Sequence, residues 1–241
     1  RSSAASDVYK RQEKIHSTIK STGDLWYFSN RESVNFFLTK YTYLYNEFKR
    51  GVVTSTNQSL NNLWKELYLG IRDANNVIAN VPNIDMDDEL KNRIIGEAKF
   101  LRALHYFNLV RCFGEVPLRL EPVEPGNDQG LPVSPIIEIY DAIITDLDYA
   151  SIHCWGRNEV RGNYVNDLGR VTNTAANALL AKVYTRIASC KRTASEGILG
   201  NELYLDFPEA YTTYYQYAKD ACDSALEDSG CLLYTSPSPR D

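Results

Sequence analysis

A chain of 241 residues, 44% hydrophobic and 24% charged, can form one large domain or two modest ones, and it is too apolar to be disordered or fibrous. Its formal net charge of -5, with no cluster of Lys and Arg, argues against nucleic acid as a partner, because such binding draws on many cationic contacts to phosphate. Seventeen Tyr, eight Phe and three Trp are the compositional excess; they give flat, amphipathic surfaces suited to sugars or to other helices.

The chain ends are read as non-native sequence. Residues 1–12 and 231–241 are set aside on this reading, the latter because Pro237 and Pro239 stand in a stretch with almost no apolar periodicity. That leaves 13–230 as one expected domain. From Ser33 to about Lys49 the apolar residues Val34, Phe37, Leu38, Tyr41, Leu44, Tyr45 and Phe48 recur at helical spacing, with Ser29 or Asn30 as the cap. A cleaner stripe follows, Leu60, Trp64, Leu67, Ile71, Ala74, Ile78 and Val81, closed by Pro82. Asp85, Asp87, Asp88 and Glu89 supply caps and first-turn carboxylates for a long helix to about Cys112. Its apolar residues occupy two faces, Ile94/Ala98/Leu101/Leu104 and Phe100/Ala103/Phe107/Val110, which predicts burial on both sides.

Gly114 and Pro117 open a breaker-rich connection that runs to Pro132. Ser134-Pro135 starts a helix with Ile136, Tyr140, Ile143, Leu147 and Ala150 on one face. A polar loop from Trp155 to Arg170 leads to a helix from about Asn173 to Ser189. Ala176, Leu180, Val183 and Ile187 form its stripe, while Ala175, Ala178 and Ala181 allow close helix approach. A loop from Cys190 to Phe207 precedes a last helix carrying Tyr211, Tyr214, Tyr215, Ala218, Ala221, Cys222 and Ala225. No strand pattern competes. The expectation is an all-α fold, a tetratricopeptide-like scaffold of helical pairs with long irregular loops.

Catalytic chemistry finds little footing. His16, His105 and His153 form no H-E-x-x-H, and the acidic run at 85–89 has Leu90 and Gly96 where a calcium loop needs Gly and Glu. His105, midway along an apolar helix, reads as a packed or hydrogen-bonded structural residue. Cys112, Cys154, Cys190, Cys222 and Cys231 are odd in number and lack a C-x-x-C pair, so they read as small buried residues. No phosphate-cradling glycine loop and no G-x-S-x-G are present. No cofactor and no metal are expected, and the chain is read as a non-enzyme. No run of about 18 apolar residues spans a membrane.

The segment Glu97-Ala-Lys-Phe-Leu-Arg-Ala-Leu-His-Tyr-Phe-Asn-Leu-Val-Arg-Cys-Phe-Gly-Glu-Val-Pro-Leu118 closely resembles the hallmark of the RagB/SusD family, approximately E-A-x-F-L-R-A-x-x-Y-F-x-L-v-x-x-F-G-x-V-P-L. Three other stretches fall in the family's order: Trp64-x-x-Leu-Tyr-x-Gly-Ile-x-x-Ala-Asn75, Tyr140-x-x-Ile-Ile-x-Asp-Leu147 and Gly169-Arg-Val-Thr-x-x-Ala-Ala-x-Ala-Leu-Leu-Ala-Lys-Val-Tyr184. The resemblance implies an internal fragment of a nutrient-binding lipoprotein that lacks its C-terminal half. It further implies a lipid anchor outside this fragment, a place on the outer membrane surface of Bacteroidetes, and a SusC-like TonB-dependent transporter that receives an oligosaccharide. Within the motif, Arg102 and, on a later helix, Lys182 are expected to pair with a carboxylate or with helix C-terminal carbonyls. Gly114 is expected to turn the chain at positive φ.

Sugar recognition combines aromatic faces under C–H groups with Asn, Asp, Arg or Gln on hydroxyls. Trp26, Tyr27, Asn30 and Arg31 fit that description; the alternative reading makes Asn30 a helix cap and Trp26 a core residue. Trp155 and Asn158 form a second set in the loop between helices. The rival readings are a tetratricopeptide-like adaptor for a protein or peptide, and an all-helical enzyme acting on glycans.

Overall fold

A computed structural model describes residues 57–123, 130–156, 169–198 and 200–229. The expected helix 33–49, the two terminal segments set aside above, and the candidates Trp26, Tyr27, Asn30, Arg31 and Asn158 lie outside these residues. The described residues form five α-helices and no strand: α1 (Gln58–Asn80), α2 (Asp88–Phe113), α3 (Ile136–His153), α4 (Asn173–Ser195) and α5 (Tyr211–Ser229). Short 3-10 turns stand at Val81–Asn83 and Glu202–Tyr204. Each helix packs mainly on its neighbours in sequence, α1 on α2, α2 on α3, α3 on α4 and α4 on α5. This is the all-α, tetratricopeptide-like arrangement of successive helical pairs.

Local chemistry sets the ends of the helices. The Asn57 side chain accepts from the N–H groups of Ser59 (3.0 Å) and Leu60 (3.1 Å) and so starts α1. Asp87 accepts from Leu90 N–H at 3.0 Å and starts α2, with Asp88 and Glu89 in the first turn near the positive helix end. At the far end Gly114 adopts φ 73°, ψ -129°, a conformation open to glycine, and its N–H caps the Val110 carbonyl at 3.0 Å. Thr172 caps α4 through a 3.2 Å bond from Ala175 N–H.

Buried apolar residues form two connected regions. The larger runs from Leu67 and Ile71 of α1 through Phe107 and Leu109 of α2, Tyr140, Ile143 and Leu147 of α3, and Val183 and Ile187 of α4 to Tyr214 of α5. The smaller gathers Ala74 and Val77, Ile94, Ala98 and Leu101, Ala150 and Ala176. Helix α2 is therefore buried on two sides, between α1 and α3, as its two apolar faces predict.

Several particulars differ from the sequence reading. The buried face of α1 centres on Leu63, Leu67, Ile71, Ala74 and Val77, leaving Leu60, Trp64 and Ile78 half-buried at its margin. Helix α4 does not stop at Ser189: residues 190–195 continue it, and Tyr204 of the 3-10 turn and Phe207 pack with Cys190 against these last turns. The Lys191 ammonium donates to the carbonyls of Leu205 and Phe207 and holds that cover down. Of the three alanines expected to allow close approach of α4, Ala181 is buried, Ala175 is half-buried and Ala178 is exposed; Ala176 and Ala188 are the fully buried ones. Of the described cysteines, Cys154 and Cys190 are buried, but Cys112 and Cys222 are exposed. No described helix is long and apolar enough to cross a membrane.

Candidate functional site

The polar residues of α2 point to its two sides and fasten two different connections. On one side Arg102, 5% exposed, donates through Nε and Nη2 to the two oxygens of Asp146 on α3 at 2.7 and 2.8 Å. Its Nη1 donates to Asn75 Oδ1 of α1 at 2.8 Å and to the Leu120 carbonyl at 2.9 Å. Lys99 adds a third cationic contact to Asp146 at 2.9 Å. Asn75 in turn donates to the carbonyls of Arg119 and Glu121, and Tyr68 to that of Pro117 at 2.8 Å. The Tyr106 hydroxyl donates to Arg119 O at 2.9 Å and accepts from Arg119 N–H at 2.7 Å. The segment 117–121 is thus held largely through its backbone carbonyls; Leu118 still packs against the core, while Leu120, and Val123 just beyond the segment, are exposed. Burial pushes the Tyr106 phenol up to about 12, which keeps it neutral and able to both donate and accept.

On the other side Glu97, fully buried, takes Arg93 Nε at 3.1 Å one turn earlier on α2. It also takes Arg170, which lies two residues before the cap of α4, through Nε at 2.9 Å and Nη2 at 2.6 Å. The Arg93 guanidinium lies 3.7 Å from the centre of the Trp155 ring, a stacked cation in a largely desolvated place. Trp155 follows the end of α3 directly, and its carbonyl accepts from Asn173 N–H at 3.3 Å, tying the end of α3 to the start of α4. The indole is half-buried, and its N–H meets no acceptor among the described residues. Beneath it, burial and then the Glu97 charge push the Cys154 thiol up to about 12, which makes it an inert packing group.

Of the residues singled out for sugar contact, Trp155 alone falls among the described ones, and it sits at this second cluster. The sequence reading placed Arg102 against a carboxylate or helix C-terminal carbonyls; the Asp146 carboxylate is there, but the carbonyl it meets, that of Leu120, belongs to the connection after α2 and not to a helix end. It did not identify Glu97, Arg93, Arg170, Asn75 or Asp146 as a connected set. The available signal was a charge standing on an otherwise apolar stripe, Glu97 beside Ala98 and Asp146 beside Leu147, since such charges are buried only when paired. Lys182 is half-buried, its ammonium held below the usual lysine range by burial and secondarily by Arg111. His105 is packed rather than hydrogen-bonded: both ring nitrogens lack a partner among the described residues, and burial holds the imidazole down to about 4. Among the described residues no group of His, Cys, Asp or Glu is arranged to hold a metal ion.

Comparison with known proteins bears on the same segments. Residues 5–185 match the SusD-like family described as starch-binding and associating with the outer membrane. A SusD-like protein of Bacteroides ovatus is 29% identical over 197 residues, covering 80% of this chain and 32% of the relative. One from Formosa agariphila is 31% identical over 134 residues, covering 55% of this chain and 24% of the relative. The chain therefore spans between about a quarter and a third of the length of these curated relatives. Among solved structures, one with a xylogluco-oligosaccharide aligns at a TM-score of 0.65 and 25% identity, over 79% of this chain and 34% of the other. A SusD superfamily protein from Parabacteroides distasonis aligns at 0.60 and 26% identity, over 79% of this chain and 36% of the other. With the hallmark helix lying inside a family match over residues 5–185, and the paired-helix scaffold in agreement with it, the chain belongs to the SusD-like family.

Proposed function

We propose that this chain is part of a cell-surface glycan-binding protein, lipid-anchored at the outer membrane, that captures an oligosaccharide and passes it to a SusC-like TonB-dependent transporter without catalysing a reaction on it. The observation that carries this reading is the scaffold shared with a protein solved with a xylogluco-oligosaccharide, over most of the present chain. Residues 13–230 supply the helical frame, and the connections supply the ligand surface. Trp26, Tyr27, Asn30, Arg31, Trp155 and Asn158 are the proposed contacts, aromatic faces lying under sugar C–H groups while the polar side chains reach hydroxyls.

Isothermal titration of the full-length protein against xyloglucan, starch-derived and other oligosaccharides tests this. Saturable binding of at least one glycan is expected, with the ligand recovered uncleaved. Failure to bind across the panel, together with recovery of a soluble protein partner, would replace this reading by the adaptor one. Cleavage of a bound glycan would replace it by the enzyme.

A further inference from the structure

Trp155 does not stand alone in its loop, because a chain of opposite charges reaches it from the start of α4. Arg170 grips both oxygens of Glu97, Glu97 holds Arg93 by its Nε, and the Arg93 guanidinium covers the indole at 3.7 Å. Arg93 is 3% exposed and Glu97 fully buried, so neither can exchange its partner for water without leaving a charge stranded in the interior. A guanidinium held over one face of the ring also favours the orientation that keeps that face against the cation. The Trp155 carbonyl is bonded to Asn173 N–H, so the residue is held by its backbone and by its ring at once.

We infer that Arg170 is a positioning residue for ligand binding: acting through Glu97 and Arg93, it sets the orientation in which Trp155 meets the glycan. This rests on the reading that the protein binds glycans and that Trp155 contacts them. A binding ring held in place before the ligand arrives saves the conformational freedom that would otherwise be lost on binding, so disturbing the relay weakens affinity without removing any group that touches sugar.

The experiment uses full-length protein carrying 5-fluorotryptophan, with a xyloglucan oligosaccharide and a maltooligosaccharide as probes; the Trp155→Phe variant identifies the Trp155 resonance. Arg170→Met is expected to shift or broaden that resonance and to weaken binding of the accepted probe roughly five- to tenfold, a loss typical of removed preorganisation. Arg170→Lys, which keeps the charge but not the two-pronged grip, is expected to fall between Arg170→Met and wild type while melting close to wild type. Trp155→Ala is expected to weaken binding further than either. Unchanged resonance and affinity in both Arg170 variants, in a wild type that binds, overturns the inference alone, and so does unchanged affinity in Trp155→Ala. A wild type that binds neither probe overturns the reading of function on which it rests.

Discussion

Replacing Arg102 by Met keeps most of the stem's volume and removes the guanidinium. The variant leaves Asp146, 3% exposed, without its two shortest contacts (2.7 and 2.8 Å), and strips Asn75 Oδ1 and the Leu120 carbonyl of their donor. Breaking a buried ion pair from one side costs about 3–5 kcal/mol. Lys99 still reaches Asp146 at 2.9 Å, which places the expected loss near the lower figure, about 3 kcal/mol. For a chain of this size that corresponds to a fall in Tm of roughly 6–12 °C. Two controls separate pairing from mere truncation. Lys99→Met, removing a partly exposed cation, should cost no more than about 1 kcal/mol. The double variant Arg102→Met/Asp146→Leu should recover part of the loss, since the buried carboxylate is then gone and Lys99, partly exposed, can turn to water. Urea and thermal denaturation followed by circular dichroism measure all three. An Arg102→Met protein within about 0.5 kcal/mol of wild type, or a double variant no better than the single one, would refute the argument that the pair is a buried, mutually dependent unit.

Tyr106→Phe removes a hydroxyl that both donates to and accepts from Arg119, and is expected to cost about 1–2 kcal/mol and to speed hydrogen exchange at the Arg119 amide. A Cβ on Gly70 would lie 2.3 Å from His105 Nε2, so Gly70→Ala should destabilise by about 1–3 kcal/mol, and Gly70→Ala/His105→Ala should lose less than the two single changes added together. Acid should act through the same histidine. Its imidazole titrates at about 4 in the fold and at the ordinary 6.5 when unfolded, so the unfolded chain binds the extra proton between those values. Stability from this group is complete above pH 6.5 and declines as the pH falls towards 4, by on the order of 3 kcal/mol in all; urea titrations at pH 7 and 4.5 should show a drop that His105→Phe lessens.

What the sequence determined by itself was whatever local periodicity and end chemistry govern. The stripe through Leu67, Ile71 and Ala74, a cap drawn from the acidic run at 85–89 and Gly114 at positive φ depend on neighbours within a few residues, and each stands where the spacing predicts. The continuation of α4 to Ser195 was not legible, because residues 190–195 carry no strong apolar stripe; their helix is secured by Tyr204 and Phe207 packing from outside it. Nor could spacing tell which acid meets which arginine. Asp146 lies 44 residues from Arg102 and Arg170 lies 73 from Glu97, and only the packing of α3 and α4 against α2 brings those charges together in a place dry enough to require the pairing. The aromatic character of Trp155 was plain in the sequence, but the cation stacked on it was decided by the tertiary structure, because a contact between α2 and the end of α3 leaves no mark on either segment alone.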